Sequence, residues 1–216
     1  MNITDGIRIG ELHSYRDFGL YIKHRNIGLP EKKSIRQTVP FMNGYYDFSA
    51  PNGAAAWDER EIEYVFDVLG DTPQDTEREI EKIVNWLCNV HDEDIFDDTL
   101  TLKHFHGSYL SGTPGYDESG EVIEFKVTFV VHPFKISDVP TLYTMKAGTH
   151  KIMNHGMAVA PFAVCDTTAA IQIGNYVSSI PANEEIRLEI DLVRGENTVL
   201  VTGEGTVRLS YYEEVL

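Results

Sequence analysis

The fold class is decided by the stretch Ile62-Glu63-Tyr64-Val65-Phe66-Asp67-Val68. Large apolar side chains occupy every second residue of this stretch, and acidic side chains fall between them, which is the period of a strand with one buried face. The same alternation recurs in residues 123–131, 186–192 and 207–211. Because these segments are spread along the chain, we predict a mainly β protein with one α-helix.

The helix is predicted at residues 73–90. Thr72 can accept a hydrogen bond from the first turn, and Pro73 suits the first helical position, where its missing N–H would have no partner. Apolar side chains recur at helical spacing on one face, namely Ile80, Ile83, Val84, Leu87 and Cys88. We expect this stripe to pack against a sheet.

Two turn-rich segments indicate hairpins. Asn43-Gly44 separates residues 39–41 from residues 45–48, and both residue types tolerate positive φ, so a hairpin is predicted there. Residues 107–120 are rich in glycine, serine and proline and connect two strand-like segments. We predict that residues 107–120 form an exposed hairpin arm.

The 216-residue chain is strongly acidic, with 34 Asp and Glu residues against 18 Lys and Arg residues and a formal net charge of -16. Such a chain repels phosphate groups, which excludes general nucleic-acid binding and disfavours binding to an anionic membrane. Most of the acidity belongs to residues 71–134, which carry 14 acidic and 4 basic side chains. We interpret this region as a solvated helix face and solvated loops rather than a cation site.

The sequence shows no motif for catalysis or cofactor binding, so we predict no enzyme, no catalytic residue and no cofactor. His104 and His106 would face the same side of a strand, but a zinc site needs a further ligand. Asp92-Glu93-Asp94 and Asp97-Asp98 lack the spacing of a calcium loop and are interpreted as a solvated connection. We expect no metal site, and a metal-dependent hydrolase built on the two histidines and these acids is the alternative.

The two cysteines, Cys88 and Cys165, match no metal or redox spacing, and we expect both to be buried, reduced thiols. The chain starts without the basic and apolar segments of a signal peptide and contains no apolar run of about 18 residues. We therefore expect a soluble protein that is made in a cytoplasm.

The N-terminal segments form a specific pattern, whose clearest parts are Phe18-Gly19-Leu20-Tyr21-Ile22, Asn26-Ile27-Gly28-Leu29-Pro30 and Asn43-Gly44-Tyr45-Tyr46-Asp47. The strand at residues 60–66, the helix, and a strand ending in His132-Pro133-Phe134 follow in order. Over about residues 10–134 this pattern resembles the distal tail proteins of long, non-contractile-tailed bacteriophages and prophages of Gram-positive bacteria.

The resemblance implies a structural protein of the virion tail tip. It implies that residues 1–134 form a β-rich belt domain, six copies of which close into a ring, and that residues 135–216 form a galectin-like β-sandwich outside it. The ring would join the tail tube protein to the tail-associated lysin or fibre protein. Residues 107–120 would reach a neighbouring subunit, and the family has no catalytic residues to transfer.

A binding module is the second hypothesis, in which the β-sandwich at residues 135–216 attaches to host cell-wall polysaccharide. Aromatic rings that could stack on a sugar in this region are those of Tyr176, Tyr211 and Tyr212. The two tryptophans, Trp57 and Trp86, lie in the first domain and could not contribute.

Overall fold

A computed structural model describes residues 5–49, 56–68, 72–118, 120 and 122–216. The chain divides into two units, one formed by Met1–Lys135 with Leu216 and the other by Ile136–Val215. Antiparallel sheets make up both units, which confirms the predicted mainly β fold class.

In chain order the first unit contains β1 (Ile7–Ile9), β2 (Leu12–His13), α1 (Ser14–Phe18), β3 (Tyr21–Ile27), β4 (Arg36–Gln37), β5 (Tyr46–Asp47), β6 (Arg60–Asp67), α2 (Pro73–Leu87), β7 (Glu93–Asp97), β8 (Lys103–Tyr116) and β9 (Val122–Val131). Its sheet has the strand order β2-β1-β7-β8-β9-β6-β3, and β4 pairs with β5 apart from it. The stretch at residues 62–68 lies largely in β6, where Ile62, Tyr64 and Phe66 are fully buried, as the alternation predicted.

A buried ion pair shows that this sheet is strongly curved. The Nε of Arg25, on β3, donates to Oδ2 of Asp97, on β7, at 2.9 Å, although β8, β9 and β6 separate the two strands. The Asp97 carboxylate also accepts from the N–H and hydroxyl of Thr99, at 2.9 and 2.7 Å. Burial and this carboxylate raise the pKa of the neighbouring Tyr64 well above its usual value. The interpretation of Asp97 as part of a solvated connection is therefore wrong.

The predicted helix at residues 73–90 is α2, which starts at Pro73 as predicted but ends at Leu87. Its N-terminus is capped by Thr72, whose hydroxyl accepts from the N–H of Asp75 at 3.2 Å. The helix ends early because the chain turns inward. The N–H of Val90 donates to the carbonyl of Leu87 at 2.9 Å, and the Val90 side chain enters the core.

The apolar stripe of α2 packs against the sheet, as predicted. Ile83 and Leu87 are buried in the core of the first unit, and Ile80 and Val84 pack against it. Cys88 is exposed, which corrects the expectation of a buried thiol, because it follows the last helical residue at the point where the chain turns. Cys165 is buried.

The predicted arm at residues 107–120 is mostly regular strand. Residues 107–116 are the second part of β8 and pair with β9, from Gly107 opposite Val131 to Tyr116 opposite Val122. Glycine is needed there for close approach rather than for a turn, since a Cβ on Gly107 would collide with the backbone of the facing strand. These residues therefore form one strand of the hairpin between β8 and β9, and none of residues 107–116 is buried. That this hairpin reaches a neighbouring subunit stays a prediction. The connection after them is partly outside the described residues, at positions 119 and 121.

The second unit contains most of the remaining strands, which are β10 (Lys135–Ser137), β11 (Thr141–Met145), β12 (Gly148–Asn154), β13 (Phe162–Cys165), β14 (Ala169–Ile173), β15 (Tyr176–Ile180), β16 (Ile186–Arg187), β17 (Gly195–Gly203), β18 (Val207–Tyr211) and β19 (Glu214–Val215). Two four-stranded sheets, β11-β18-β13-β16 and β12-β17-β14-β15, share one apolar core and form a sandwich. β10 pairs with β19.

The strand predicted at residues 186–192 is only the two-residue β16. Beyond it the chain bends, because the N–H of Leu188 donates to the carbonyl of Pro161 and Leu192 exchanges two backbone hydrogen bonds with Val159. Leu188 and Leu192 are still buried. The alternating pattern therefore predicted the burial of these side chains correctly, but it predicted a longer strand than the one that forms.

Candidate assembly surface

The segment between β3 and β6 leaves the sheet as a projection, which we call the tyrosine arm and define as residues 31–49. Its base is held by two backbone hydrogen bonds, from Lys33 to Ala56 at 3.0 Å and from Asp58 to Glu31 at 2.9 Å. None of the residues in the tyrosine arm is buried, and none belongs to the core of the first unit. Local contacts within the arm and at its base therefore hold it, among them the ion pairs Lys33–Asp58 and Arg36–Asp47, both at 3.6 Å.

A hairpin forms within the arm, as predicted from Asn43-Gly44, but with a different pairing. Strands β4 and β5 pair Arg36 with Asp47 and Gln37 with Tyr46, so the connecting loop is longer than two residues. Positive φ occurs at Phe41, with 66°, and at Gly44, with 94°. Gly44 thus occupies a position whose positive φ favours glycine.

The tyrosine arm exposes large apolar side chains that a soluble monomer normally buries. They are Ile35, Val39, Phe41, Tyr45, Tyr46 and Phe48, of which Phe41 is fully exposed. Contiguous exposed apolar surface of this kind marks interaction sites, and aromatic side chains dominate the energetic centres of protein interfaces. The tyrosine arm is therefore the strongest candidate for a surface that contacts another chain.

Two basic side chains of the arm, those of Arg36 and Lys32, lie over aromatic rings. The Arg36 guanidinium is 4.6 Å from the ring centroid of Tyr45 and 3.6 Å from Asp47, and Lys32 is 5.4 Å from the ring centroid of Trp57. Within residues 31–49, three basic residues against two acidic ones give a net charge of +1. The arm is thus locally basic in a strongly acidic chain, so acidic surfaces of another copy would attract it.

An unpaired strand edge accompanies the arm. Among the described residues, β3 pairs with β6 alone, which leaves its other edge open. Open edges are templates for strand addition by another chain.

The two histidines singled out from the sequence do face the same side, and Asp94 lies between them. Nδ1 of His106 is 2.7 Å from Oδ1 of Asp94, and its Nε2 is 3.0 Å from Oδ1 of Asp92. His104 Nε2 is 3.4 Å from the same Asp94 oxygen. In the parts of the chain that the structure describes, no group of three or more His, Cys, Asp or Glu side chains is placed to hold a metal ion.

The double contact of His106 predicts a pH-dependent clamp between β7 and β8. Ionised carboxylates only accept, so both hydrogen bonds form only when the ring is doubly protonated. Burial lowers the pKa of His106, but the hydrogen bonds and charges of Asp94 and Asp92 outweigh burial and raise this pKa above 6.5. The stabilisation is complete below pH 6.5 and is lost as pH rises through the raised folded-state pKa.

Histidine NMR titration measures this pKa directly. We expect the wild-type His106 ring to titrate above pH 6.5, and the Asp94→Asn variant to titrate at a lower pH than the wild type. A wild-type titration at or below 6.5, or an unchanged value in Asp94→Asn, would rule out the clamp.

The second unit carries a cleft of about 430 Å³ whose lining contains no aromatic side chain, being formed by Ala160, Arg187, Leu188, Glu189, Ile190 and Asp191. Of the three tyrosines considered for sugar stacking, Tyr211 is buried and its hydroxyl donates to the carbonyl of Met153 at 2.9 Å. The hydroxyl of Tyr176 accepts from the N–H of Glu189 at 3.1 Å, and Tyr212 is exposed. Cell-wall binding stays a prediction without a matching site in this cleft.

A half-buried carboxyl group neighbours two of the charged residues of that cleft. Burial and the charge of Asp191 raise the pKa of Glu214 from 4.5 to about 7, and Arg187 opposes this only in part. Between pH 4.5 and about 7, Glu214 therefore keeps a proton in the folded protein that it releases in the unfolded chain. Stability from this group is complete below pH 4.5 and is lost as pH rises to about 7.

Replacing Glu214 by glutamine should remove this pH dependence. We expect Glu214→Gln to melt at a higher temperature than the wild type at pH 8, and at the same temperature at pH 4, in differential scanning calorimetry. The matched control Glu184→Gln removes an equivalent but exposed charge and should leave the pH dependence unchanged. Equal melting temperatures of wild type and Glu214→Gln at pH 8 would contradict the assignment.

Sequence reasoning predicted the hairpin around Asn43-Gly44 but not its exposed aromatic surface, and it assigned the contact with a neighbouring subunit to residues 107–120. The signal was present in Tyr45-Tyr46-Asp47-Phe48, an aromatic cluster without the alternation of a half-buried strand. Sequence reasoning also did not place His91 or His132 near the other histidines. The Nδ1 atom of His91 lies 3.3 Å from the hydroxyl of Ser108, and the backbone N–H of His132 donates to the carbonyl of His106 at 2.7 Å.

No helix in the described parts of the chain is long and apolar enough to cross a membrane. No family model and no curated protein matches the sequence.

Solved structures do match. The chain is similar to chains of the phage p2 baseplate in its activated conformation, once with strontium (TM-score 0.44, 9% identity, 98% of this chain and 99% of that one) and once with calcium (TM-score 0.40, 8% identity, 91% and 92%). Those TM-scores are too low to carry an argument. The Dit protein (gp 19.1) of phage SPP1 matches with a TM-score of 0.71 and 15% identity, over 96% of this chain and 98% of that one. It is described as a paradigm of the hub of the adsorption apparatus in phages that infect Gram-positive bacteria. The resemblance inferred from residues 10–134 is thus confirmed for the fold, which is similar to that of the SPP1 Dit protein.

Proposed function

We propose that this protein is a structural subunit of the tail tip of a phage or prophage of Gram-positive bacteria, and that six copies form a ring. The observation that carries the proposal is the fold shared with the SPP1 hub protein, which extends over 96% of the chain. The likeness covers nearly the whole length of both proteins, so it is not limited to one common β module.

The tyrosine arm supplies one of the two surfaces that a ring requires. A ring of identical subunits is built from heterologous contacts, in which one surface meets a different surface of the next copy. We assign the second surface to the acidic region at residues 71–134, where Glu77 and Glu81 of α2 are exposed. Burial of the arm's aromatic rings would supply affinity, and the opposite charges would orient the encounter.

The ring would join the tail tube protein on one face to the tail-associated lysin or fibre protein on the other. In this proposal the protein is made in the bacterial cytoplasm and incorporated into the virion tail tip. Its role is to connect, and we assign it no catalytic residue and no cofactor.

Sedimentation velocity combined with native mass spectrometry tests the ring. We expect a species of six copies of the 24.4 kDa chain, either for the protein alone or after addition of its tail tube protein. A protein that stays monomeric at high concentration, and also in the presence of the tube protein, would refute the proposal.

A further inference from the structure

A cleft of about 450 Å³ on the first unit is lined by two arginines. Its lining residues are Arg8 of β1, His13 of β2, Tyr15 and Arg16 of α1, and Asp98, which follows β7. We call this cavity the arginine cleft. Arg8 is half-buried and Arg16 is exposed, and neither forms an ion pair with a described residue. Two arginines without a counter-ion on one open cavity are unexpected in a chain with 34 acidic and 18 basic residues.

The guanidinium of Arg8 is held in a fixed orientation. Its central carbon lies 3.8 Å from the ring centroid of Phe96, which faces Arg8 on the neighbouring strand β7. Nη1 donates to the carbonyl of Gly10 at 3.2 Å. Stacking covers one face of the guanidinium and leaves its edge, which carries the N–H groups, able to donate in the plane. Arg8 is therefore preorganised for the two oxygens of one anion.

The one acidic side chain in the lining is already engaged by donors other than the arginines. Nδ1 of His13 accepts from the backbone N–H groups of Tyr15 and Arg16, at 3.1 and 3.2 Å, so the ring proton lies on Nε2. The N–H at Nε2 donates to Oδ2 of Asp98 at 2.9 Å, and the backbone N–H of Gly6 donates to the same oxygen at 3.0 Å. These two donors fix the Asp98 carboxylate in the wall of the cleft.

The charge of the lining selects the class of anion. Two arginines and one aspartate give the cleft a net charge of +1, because His13 is neutral in the tautomer that these hydrogen bonds require. One carboxylate balances this charge. A phosphate dianion would leave excess negative charge close to Asp98, which would repel it.

An aromatic pair adjoins the arginines. The ring of Tyr15 meets that of Tyr21 edge-on, with the centroids 5.2 Å apart, and Tyr21 is 40% exposed. Arginine and tyrosine are among the residue types that dominate the energetic centres of protein interfaces. A carboxylate carried by a protein segment could also cover these rings, whereas a small free carboxylate would leave them in water. The surroundings therefore favour a protein ligand.

We propose that the arginine cleft binds an aspartate or glutamate side chain of an acidic segment of another protein. Arg8 supplies the bidentate contact, Arg16 adds attraction from the exposed side, and the bonded His13–Asp98 pair holds the wall between them. The proposal does not depend on ring formation, so its failure would leave the proposed tail-tip role untouched.

Fluorescence anisotropy of a fluorescein-labelled octaglutamate peptide with the full-length protein tests the site. We expect saturable binding of octaglutamate and none of the matched octaglutamine peptide. At constant ionic strength, acetate should displace octaglutamate at a lower concentration than inorganic phosphate does. Absence of saturable octaglutamate binding, equal binding of octaglutamine, or better displacement by phosphate would overturn the proposal.

Variants locate the binding in the cleft. Arg8→Lys keeps the charge but loses the planar fork, so its affinity for octaglutamate should be at least about tenfold weaker. Arg16→Gln should weaken binding by a smaller factor, because its side chain is exposed. Arg194→Gln, in the second unit, and Lys33→Gln, in the tyrosine arm, each remove an exposed positive charge and should leave the affinity unchanged.

Circular dichroism verifies that each variant is folded. Unchanged affinity in folded Arg8→Lys or Arg16→Gln, or a loss in Lys33→Gln as large as that in Arg8→Lys, would overturn the proposal.

Discussion

Replacing Asp97 by asparagine will lower the free energy of unfolding of the first unit by about 3–5 kcal/mol. The carboxylate is fully buried and accepts hydrogen bonds from Arg25 and Thr99. Asparagine carries no charge, so the nearly buried guanidinium of Arg25 would lose its counter-ion. The two residues lie on strands that are far apart in the order of the sheet. The contact joins two strands that three others separate in the sheet, so we expect a loss much larger than that of a surface substitution.

Urea denaturation followed by tryptophan fluorescence measures this loss in the first unit alone, because Trp57 and Trp86 both belong to it. The matched control is Glu124→Gln, which breaks an exposed ion pair with Lys23 at 3.0 Å. Solvent screens that pair, so its loss should change the stability little. A loss for Asp97→Asn no larger than that for Glu124→Gln would show that the buried pair does not support the sheet.

Replacing Phe41, Tyr45 and Phe48 together by serine will abolish ring assembly while leaving the monomer as stable as the wild type. Truncation of an aromatic residue at the centre of an interface commonly costs about 2 kcal/mol or more, so three such changes exceed what most interfaces tolerate. The same side chains contribute little to the fold of the monomer because they are exposed in it. Sedimentation velocity reports the assembly, and urea denaturation reports the stability.

The matched control replaces the same number of exposed apolar side chains in the second unit, namely Leu142, Val177 and Val193, by serine. Its assembly should equal that of the wild type. If the arm variant still forms the ring, or if the control loses it equally, the tyrosine arm is not the contact surface.

Local patterns predicted the elements that have one buried face. Ile62, Tyr64 and Phe66 are fully buried as their alternation predicted, and α2 begins at Pro73 behind its Thr72 cap. These features depend on neighbouring residues, whose period and capping can be recognised in the sequence. The C-terminus of α2 depends on a tertiary contact, because the Val90 side chain turns into the core, and such a contact leaves no local signal in the sequence.

The burial of Asp97 could not be predicted because its partner Arg25 lies 72 positions earlier in the chain. Its acidic neighbours indicated a solvated connection, and only the curvature of the sheet brings the pair together. The close approach of the two strands at residues 107–116 could not be predicted for a similar reason. Gly107 is required by the close backbone of the strand opposite it, which local sequence does not distinguish from a turn.

A contact with another subunit was predicted from the sequence, at residues 107–120. The exposed side chains of residues 31–49 add a second candidate that the sequence reasoning did not identify. Aromatic residues of the tyrosine arm suit a buried strand as well as an interface, and only the fold shows that the core is complete without them.

Immunogold electron microscopy of the particles produced by the encoding phage or prophage tests the central claim most directly. With antibodies against this protein, we expect gold particles at the distal end of the tail, where the tube meets the fibre or lysin. Label along the tube or on the head, or intact particles that carry none of the protein, would contradict the assignment of the protein to the tail tip.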